Sequence, residues 1–261
     1  MIHSSAIIDS SAEIDSSVEV GAYSIIGSNV QIDANSKIEP HAQICNSVSI
    51  GQDNLIGRGS IIGADPQDLS FNTSIPSKVV IGNNNTIREL VTIHRSTESE
   101  GITSIGESNF LMAGCHIGHD TQVANNNVIA NSCLLGGHVV LENNSFLGGG
   151  AVFHQFVRIG SFCMIQGNST ITQDVPSYCV AHGRNILAGI NTIGLQRSKM
   201  DTTKIQEIKK IFKTIFYSKD SFSQALDNLN QQNNPEHINL LLNSLNTPSR
   251  KGICHPDRKK G

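Results

Sequence analysis

The chain has 261 residues, no Trp, 5% aromatic residues and a formal net charge of −3. It contains no run of about 18 apolar residues that could cross a membrane, and it begins without a basic and apolar leader. This composition excludes a transmembrane protein and gives no reason to expect a nucleic-acid partner. We therefore expect a cytoplasmic protein.

A period of six residues dominates the first two thirds of the chain. The large apolar residues that carry it are Ile2 to Ile62, Ile81 to Ile93 and Ile105 to Ile171, each at every sixth position. A helix repeats its apolar face every 3.6 residues and a strand every two, so a period of six needs one short strand and one corner per hexad. The pattern predicts a mainly β chain that forms a parallel β-helix over residues 1–190.

The repeat is interrupted twice. Residues 63–79 lack a hexad and displace the register by one residue, which predicts a projecting loop. Residues 94–104 keep the register but place Ser99 where an aliphatic residue belongs, which predicts a second loop or a badly formed hexad. Loops on a rigid scaffold often carry binding residues.

The C-terminal part of the chain has helical spacing instead. The apolar residues at this spacing are Ile205, Ile208, Ile211, Phe212, Ile215 and Phe216. They predict an amphipathic helix that begins near Asp201, followed by a second helix from Ser221 to about Leu229. A third is predicted with Asn234 as its cap and Pro235 in its first turn. Residues 191–261 are thus predicted to form a helical domain with a loosely ordered end.

The charge is divided unevenly between these two parts. Residues 1–196 carry 7 Lys and Arg against 16 Asp and Glu, whereas residues 197–261 carry 12 against 6. The lysines along the first predicted helix are Lys204, Lys209, Lys210 and Lys213. They predict either a surface that attracts an acidic partner or simply a solvated helix face.

The six cysteines have no paired spacing. They are Cys45, Cys115, Cys133, Cys163, Cys179 and Cys254. This arrangement predicts reduced thiols rather than disulfides or metal ligands.

Four histidines fall within 39 residues. They are His116, His119, His138 and His154. If each coil has three hexads, residues 18 apart occupy equivalent places on adjacent coils, about 4.8 Å from one another. His119, Gly137 and Gln155 should therefore stack, with Asp120 and His138 stacked one residue further along.

Such a stack suits acyl transfer. A histidine can take the proton of an attacking hydroxyl, and the N–H of Gly137 could face the oxyanion without a side chain in the way. Two other interpretations stay open. Corner histidines are often merely solvated, and interfacial histidines hold zinc in trimeric β-helix enzymes such as the γ-class carbonic anhydrases.

Several segments resemble one acyltransferase family. They are His-Ile-Gly-His-Asp at 116–120, Gly-Gly-His at 136–138, His-Gln-Phe at 154–156, Gln-Asp-Leu at 67–69, Thr-Ile-His-Arg at 92–95, and Asn191, Gly194, Leu195 and Arg197. Together they resemble the UDP-N-acetylglucosamine O-acyltransferases that begin lipid A synthesis. The hexads resemble those of left-handed β-helix enzymes, so the resemblance implies that handedness.

The resemblance also implies roles for individual residues. His119 matches the general base that deprotonates the sugar 3-hydroxyl, Asp120 the carboxylate that supports it, and Gly137 the oxyanion donor. The residues that match substrate contacts are Gln67, Asp68, His116, His138, His154, Gln155, Asn191 and Arg197, and Ser70 stands at a further substrate-binding position. Gly167 matches the region that limits the length of the acyl chain.

Partners follow from the same resemblance. In this family a 3-hydroxyacyl chain arrives as a thioester on acyl carrier protein, an acidic protein that the tail lysines could attract. No cofactor or metal is expected. The family forms homotrimers whose active sites lie between subunits.

Three positions depart from the family pattern. Ser70 replaces a lysine that contacts the sugar nucleotide, Ile193 replaces a glutamate, and Ser198 replaces a second arginine. All three belong to the nucleotide half of the site. An N- or O-acyltransferase that acts on another UDP-sugar, such as a 3-amino analogue, is therefore an alternative, and a non-catalytic scaffold is another.

Overall fold

The computed structural model describes residues 1–257, and within them 28 short strands and four helices follow the chain. The strands are β1 Ile7–Ile8, β2 Glu13–Ile14, β3 Glu19–Val20, β4 Ile25–Ile26, β5 Gln31–Ile32, β6 Lys37–Ile38, β7 Gln43–Ile44, β8 Val48–Ile50, β9 Leu55–Ile56, β10 Ile61–Ala64, β11 Lys78–Ile81, β12 Thr86–Ile87, β13 Thr92–His94, β14 Ile102–Ile105, β15 Phe110–Leu111, β16 His116–Ile117, β17 Gln122–Val123, β18 Val128–Ile129, β19 Leu134–Leu135, β20 Val140–Leu141, β21 Phe146–Leu147, β22 Val152–Phe153, β23 Arg158–Ile159, β24 Met164–Ile165, β25 Thr170–Ile171, β26 Cys179–His182, β27 Ile186–Ile190 and β28 His255–Pro256. The helices are α1 Thr192–Arg197, α2 Thr202–Tyr217, α3 Phe222–Asn230 and α4 Glu236–Asn246.

Consecutive strands lie in different sheets, and every third strand returns to the same sheet. A nine-stranded sheet contains β1 to β25, an eight-stranded sheet β2 to β23, and an eleven-stranded sheet β3 to β28. His116 pairs with Leu134, 18 residues later, in parallel. The chain is therefore a parallel β-helix with a helical C-terminal part, and the predicted fold class, a left-handed parallel β-helix, is confirmed.

The repeating apolar residues point into the β-helix. Ile44, Ile56 and Ile87 have no exposed surface, as the hexad pattern predicts. One internal corner also contains a ladder of buried asparagines: Asn54, Asn85, Asn109 and Asn127. Each side-chain oxygen accepts the backbone N–H of the next asparagine at 2.8–2.9 Å. These bonds pair backbone N–H groups that an apolar residue would leave without a partner, although the Asn127 amide nitrogen has none among the described residues.

Two segments leave the regular coils. Residues 65–77 separate β10 from β11, and residues 95–101 separate β13 from β14. Ile62 consequently pairs with Ile93, and Ile81 with Ile105, rather than with the residue 18 positions later. Both insertions lie next to the coils that carry the histidines.

The solenoid ends where β26 and β27 pair antiparallel, and the helices follow. Asp201 accepts hydrogen bonds from the backbone at the start of α2, and Ser221 forms a capping box with Gln224 at α3. The prediction that Asn234 caps the last helix, α4, is wrong. Pro235 occupies that position in α4, while the Asn234 amide donates to the carbonyl of Leu229, which ends the preceding turn.

The predicted looseness of the C-terminal end is also wrong for the described residues. β28 pairs in parallel with β27, and Ile253 bridges to Asp174 on the last coil. The end of the chain is therefore tied to the sheet. The predicted helical domain runs to residue 261, of which residues 258–261 lie outside the described part.

All six cysteines are free, as the spacing predicts, and burial raises the pKa of Cys115 to about 11. Buried thiols of this kind are poor nucleophiles. None of the four helices within residues 1–257 has both the length and the apolar character needed to cross a membrane.

Candidate active site

His119 and Asp120 form a hydrogen-bonded pair at one corner of the β-helix. His119 Nδ1 lies 2.8 Å from Asp120 Oδ2, and the two side chains are only 11% and 10% exposed. Adjacent residues of an extended strand point to opposite faces. Here Asp120 has a φ of 61°, in the left-handed region that Asp tolerates better than most residues, and this turn brings both side chains together. The second ring nitrogen of His119 stays available to a substrate proton.

Two residues of the 95–101 segment hold the Asp120 carboxylate. The Ser96 hydroxyl donates to Oδ1, while the Thr97 hydroxyl and backbone N–H donate to Oδ2 at 2.7 and 3.1 Å. Burial would raise the pKa of Asp120, but these hydrogen bonds and that of His119 outweigh it and keep the pKa below its usual value. Asp120 is thus held ionised and oriented toward His119.

Gly137 lies against the His119 ring one coil away, as the 18-residue period predicts. A Cβ on Gly137 would collide with Cε1 and Nε2 of that ring. Within the described residues the Gly137 N–H donates to no acceptor, whereas its carbonyl accepts from Phe156. An unpaired N–H beside a histidine nitrogen can stabilise an oxyanion that forms there.

This contact gives a direct test of the glycine. We expect Gly137→Ala to lower kcat by about 10²- to 10³-fold, because the new methyl group displaces the His119 ring and obstructs the approach to the N–H. Steady-state kinetics measure the loss, and a melting curve checks that the fold survives. Normal turnover in a folded variant would contradict this role.

His138 borders the pair on the next coil. Its Nε2 lies 3.6 Å from Asp120 Oδ2, and its ring meets the edge of His119 at 5.2 Å and stacks on Phe156 at 4.4 Å. Burial lowers the pKa of His138, although the Asp120 charge acts in the opposite direction. A neutral His138 can accept or donate one hydrogen bond to a bound substrate.

His116 lies on β16 beside a histidine that the sequence analysis did not assign to the site. Its Nδ1 is 2.8 Å from the Thr92 hydroxyl, and its ring contacts that of His94 edge to face at 4.8 Å. Burial lowers the pKa of both histidines, that of His94 to about 4. The sequence offered one signal for His94, because this residue belongs to the Thr-Ile-His-Arg segment that resembles the acyltransferase family. Only the structure places it against His116.

His154 and Gln155 are exposed, one coil beyond Gly137. His154 Nδ1 lies 3.1 Å from the Gln155 carbonyl, which orients the imidazole without burying it. Both side chains are free to meet a ligand that extends along the stack.

The 65–77 loop presents Gln67, Asp68 and Ser70 to solvent. The backbone N–H and the hydroxyl of Ser70 both donate to Asp68 Oδ1, at 2.8 and 2.7 Å. These bonds lower the pKa of Asp68, and the nearby His119 lowers it slightly further. The loop thus extends toward the His119 corner, and the Ser70 hydroxyl is engaged within the loop.

Asn191 and Arg197 do not contact this cluster within the described chain. Asn191 caps α1 by accepting from Gly194 N–H, and its amide donates to the Phe162 carbonyl. Arg197 is exposed at the end of α1. Within the described chain, Asn191 thus makes contacts that cap α1, and Arg197 is exposed.

Gly167 is exposed at a different corner from His119. It lies between β24 and β25, whereas His119 lies between β16 and β17. Because β16 and β25 belong to the same nine-stranded sheet, the two corners form opposite edges of one face. A ligand that joins them must lie across that face.

The predicted lysines of α2 divide into two groups. Lys209, Lys210 and Lys213 line a groove of about 960 Å³ between α2 and β27, together with Phe212 and Tyr217. Lys204 lies one turn earlier and outside this groove. Three cations around an apolar floor suit an acidic, partly apolar partner.

His119, Asp120 and His138 form a group of three possible metal ligands within the described part of the chain. Their nearest ligand atoms lie within 4.8 Å of one another. However, both Asp120 oxygens already accept hydrogen bonds from Ser96, Thr97 and His119. A metal ion bound to Asp120 Oδ2 would have to displace the Thr97 donors or His119 Nδ1.

Known proteins share this fold and this site region. A family model described as UDP N-acetylglucosamine O-acyltransferase, domain 2, matches residues 174–254, and a bacterial transferase hexapeptide model of six repeats matches residues 102–137. The chain is 38% identical over 204 residues to the UDP-N-acetylglucosamine O-acyltransferase of Nautilia profundicola. The aligned region covers 76% of each of the two chains.

Solved structures extend the similarity to nearly the whole length. The UDP-N-acetylglucosamine acyltransferase of Francisella novicida is 33% identical, with a TM-score of 0.95 over 99% of this chain and 95% of that one. The UDP-N-acetylglucosamine O-acyltransferase of Moraxella catarrhalis is 37% identical, with a TM-score of 0.92 over 97% and 99%. The chain therefore belongs to the UDP-N-acetylglucosamine O-acyltransferase family.

Proposed function

We propose that this protein transfers a 3-hydroxyacyl chain from acyl carrier protein to the 3-hydroxyl of UDP-N-acetylglucosamine, the first step of lipid A synthesis. The observation that carries the chemistry is the partly buried His119–Asp120 pair with a Gly137 N–H beside it that is unpaired within the described residues. The family membership supplies the substrates.

The proposed mechanism has two proton transfers. His119 Nε2 takes the proton of the sugar hydroxyl while that oxygen attacks the thioester carbonyl, and Asp120 holds the N–H of Nδ1. The Gly137 N–H stabilises the oxyanion of the tetrahedral intermediate. When the intermediate collapses, the C–S bond breaks and the thiolate of the carrier receives the proton from His119. Every step uses groups of the chain, so no cofactor is needed.

A panel of substrates tests this proposal. UDP-N-acetylglucosamine and its 3-amino analogue are each presented with carrier-bound acyl chains of several lengths, and the ester product is measured. We expect ester formation with UDP-N-acetylglucosamine. Product from the amino sugar alone would support the N-acyltransferase alternative, and binding without product would support a scaffold.

Metal analysis of the purified protein distinguishes the proposed mechanism from that of a zinc-dependent β-helix enzyme. We expect much less than one metal ion per chain, with activity that survives chelator treatment. One zinc per chain, with activity lost on its removal, would replace the mechanism above.

The altered loop residue predicts a change in affinity. We expect Ser70→Lys to lower the KM for UDP-N-acetylglucosamine about threefold to tenfold, because an ammonium is added near the proposed site of a doubly charged phosphate group. Ser74→Lys is the matched control, since Ser74 makes the same turn with Asn72 on the same loop. Equal KM values for the two variants would remove Ser70 from the site.

We propose a homotrimer with the active site between subunits. Leu134 and Phe146 are 44% and 39% exposed on two different sheets, and large apolar side chains in such positions suit burial against another subunit. A neighbouring subunit could also supply Asn191 and Arg197. Mixed trimers of inactive His119→Ala and Arg197→Ala chains should then regain activity, because some sites receive both intact residues. Trimers that regain none would contradict a shared site.

The groove between α2 and β27 is the proposed docking surface for acyl carrier protein. We expect Lys210→Glu with Lys213→Glu to raise the KM for the acylated carrier about tenfold or more, because the change replaces attraction by repulsion. The KM for UDP-N-acetylglucosamine should stay constant. Lys219→Glu, outside the groove, is the control, and equal effects of both variants would contradict the assignment.

A reducing, cytoplasmic compartment suits this chain. All six cysteines are free, and no two of them form a disulfide. Fractionation of cells with an antibody to the protein tests this location.

A further inference from the structure

Arg95 connects the 65–77 loop to the coils. Its guanidinium donates to Asp65 Oδ1 at 2.7 Å, to the carbonyls of Thr73 and Ile75 at 2.9 and 2.6 Å, and to the Ser77 hydroxyl at 3.0 Å. It also lies over the Phe71 ring at 4.8 Å. All five partners belong to the same loop.

The loop depends on these contacts for its position. Its tip is exposed, and Leu69 has no packing contact that shields it from solvent. The Arg95 side chain is only 13% exposed, and a planar guanidinium can satisfy several carbonyls at fixed angles. Within residues 1–257, Arg95 supplies the side-chain hydrogen bonds that join residues 65–75 to the coils.

The next two residues hold the catalytic pair. Ser96 is fully buried, and its hydroxyl accepts the Glu98 N–H at 2.9 Å, so its own proton is directed at Asp120. Thr97 reaches the other carboxylate oxygen. The backbone N–H of Arg95 donates to the Ala64 carbonyl, and the Ser77 hydroxyl donates to the Ser96 carbonyl. Both ends of the 65–77 loop are therefore bonded to the backbone of residues 95 and 96.

We propose that Arg95, Ser96 and Thr97 are positioning residues that connect the 65–77 loop to the His119–Asp120 pair. Arg95 places Gln67 and Asp68 for the sugar nucleotide, while Ser96 and Thr97 orient Asp120. This inference rests on the proposed function for the identity of the substrate. It predicts that Arg95 affects the KM, whereas the next two residues, Ser96 and Thr97, affect kcat.

Arg95→Ala tests the first half. We expect the KM for UDP-N-acetylglucosamine to rise about tenfold while kcat changes by less than about threefold, because the loop loses its position but the catalytic pair stays intact. Arg95→Lys should fall between wild type and Arg95→Ala, since an ammonium replaces only part of the fork. Arg88→Ala is the matched control, because Arg88 pairs with Glu89 on an exposed corner of the same solenoid.

A structural readout accompanies the kinetics. Limited proteolysis should cut residues 65–77 faster in Arg95→Ala than in wild type or Arg88→Ala, whatever substrate the enzyme uses. Equal cleavage and an unchanged KM would overturn the assignment of Arg95.

Ser96→Ala combined with Thr97→Val tests the second half. We expect kcat to fall about 10- to 100-fold with little change in KM, because the carboxylate loses two hydroxyl donors while the Thr97 N–H remains. The titratable groups that face Asp120 are His119 and His138, and the charges of Glu98 and Arg250 act on His138. Loss of the two hydroxyl donors removes a cause of the lowered pKa of Asp120, so the acid side of the kcat/KM profile should change shape, whereas a purely structural loss would lower the whole profile equally.

The outcomes separate the two proposals. If wild type forms no product with any UDP-sugar, the proposed function fails, and the proteolysis result alone decides the role of Arg95. If wild type is active but the Ser96 and Thr97 variant keeps its kcat and its pH profile, the connection to Asp120 is wrong.

Discussion

His119→Ala is expected to lower kcat by about 10²- to 10⁴-fold while the β-helix stays folded, because the variant loses the base that takes the hydroxyl proton. The side chain lies outside the apolar column, and among residues 1–257 its hydrogen bond is to Asp120. Its loss should therefore leave the core intact. Single-turnover measurement of ester formation reports the loss directly.

The control for this variant is His41→Asn. His41 is exposed at another corner with a φ of 62°, which asparagine tolerates, and its ring stacks on Tyr23 far along the chain from the site. We expect normal activity from His41→Asn. Turnover of His119→Ala that matches this control would contradict general-base catalysis by His119.

Asp120→Asn is expected to lower kcat by a similar factor, about 10²- to 10⁴-fold, for a different reason. The amide has nearly the same shape and tolerates the left-handed backbone, but it cannot hold the His119 Nδ1–H as a carboxylate does. It also presents an NH₂ group to the Ser96 and Thr97 donors. The imidazole then loses both its orientation and the charge that stabilises its protonated form.

The same substitution should change stability in a pH-dependent way. Because the folded pKa of Asp120 is lowered, its ionised form stabilises the fold above the unfolded pKa of about 4, and this contribution disappears as pH falls through the folded value. Melting temperatures of wild type and variant should therefore differ at pH 7 and converge in acid. A constant difference across that range would contradict the predicted role of the charge.

Asp53→Asn provides the matched control. Asp53 is an exposed aspartate with a φ of 57°, so it shares the left-handed backbone of Asp120, but it lies at a different corner, between β8 and β9. It should retain full activity and a normal melting temperature. A loss of activity as large as that of Asp120→Asn would indicate a general effect of corner substitutions.

The neighbours of residues on regular coils were predictable, because the six-residue period fixes which positions of adjacent coils lie next to each other. Three hexads per coil place His119 beside Gly137 and Asp120 beside His138, and the structure has both contacts. This reasoning fails where insertions change the number of residues per coil. Arg95, Ser96 and Thr97 lie on such an insertion, so no count of residues brings them to the loop or to Asp120.

Local signals at the C-terminal part predicted most but not all features. Asp201 and Ser221 cap helices as expected, because capping depends on residues three or fewer positions away. Asn234 instead bonds to the preceding turn, and β28 pairs with a strand formed some 70 residues earlier. The hydrogen bond of Asn234 and the pairing of β28 both depend on which groups lie nearby in the folded chain.

By itself, the sequence determined the coil, its core and the stack of catalytic candidates, since a strict six-residue period permits one repeating backbone and sets the spacing of every equivalent position. Only the tertiary structure decided how the active pair is held. The left-handed turn at Asp120 lets neighbouring side chains meet, and two insertions of irregular length bring Arg95, Ser96 and Thr97 to their partners. Those contacts depend on where each loop returns to the solenoid, which no period in the sequence specifies.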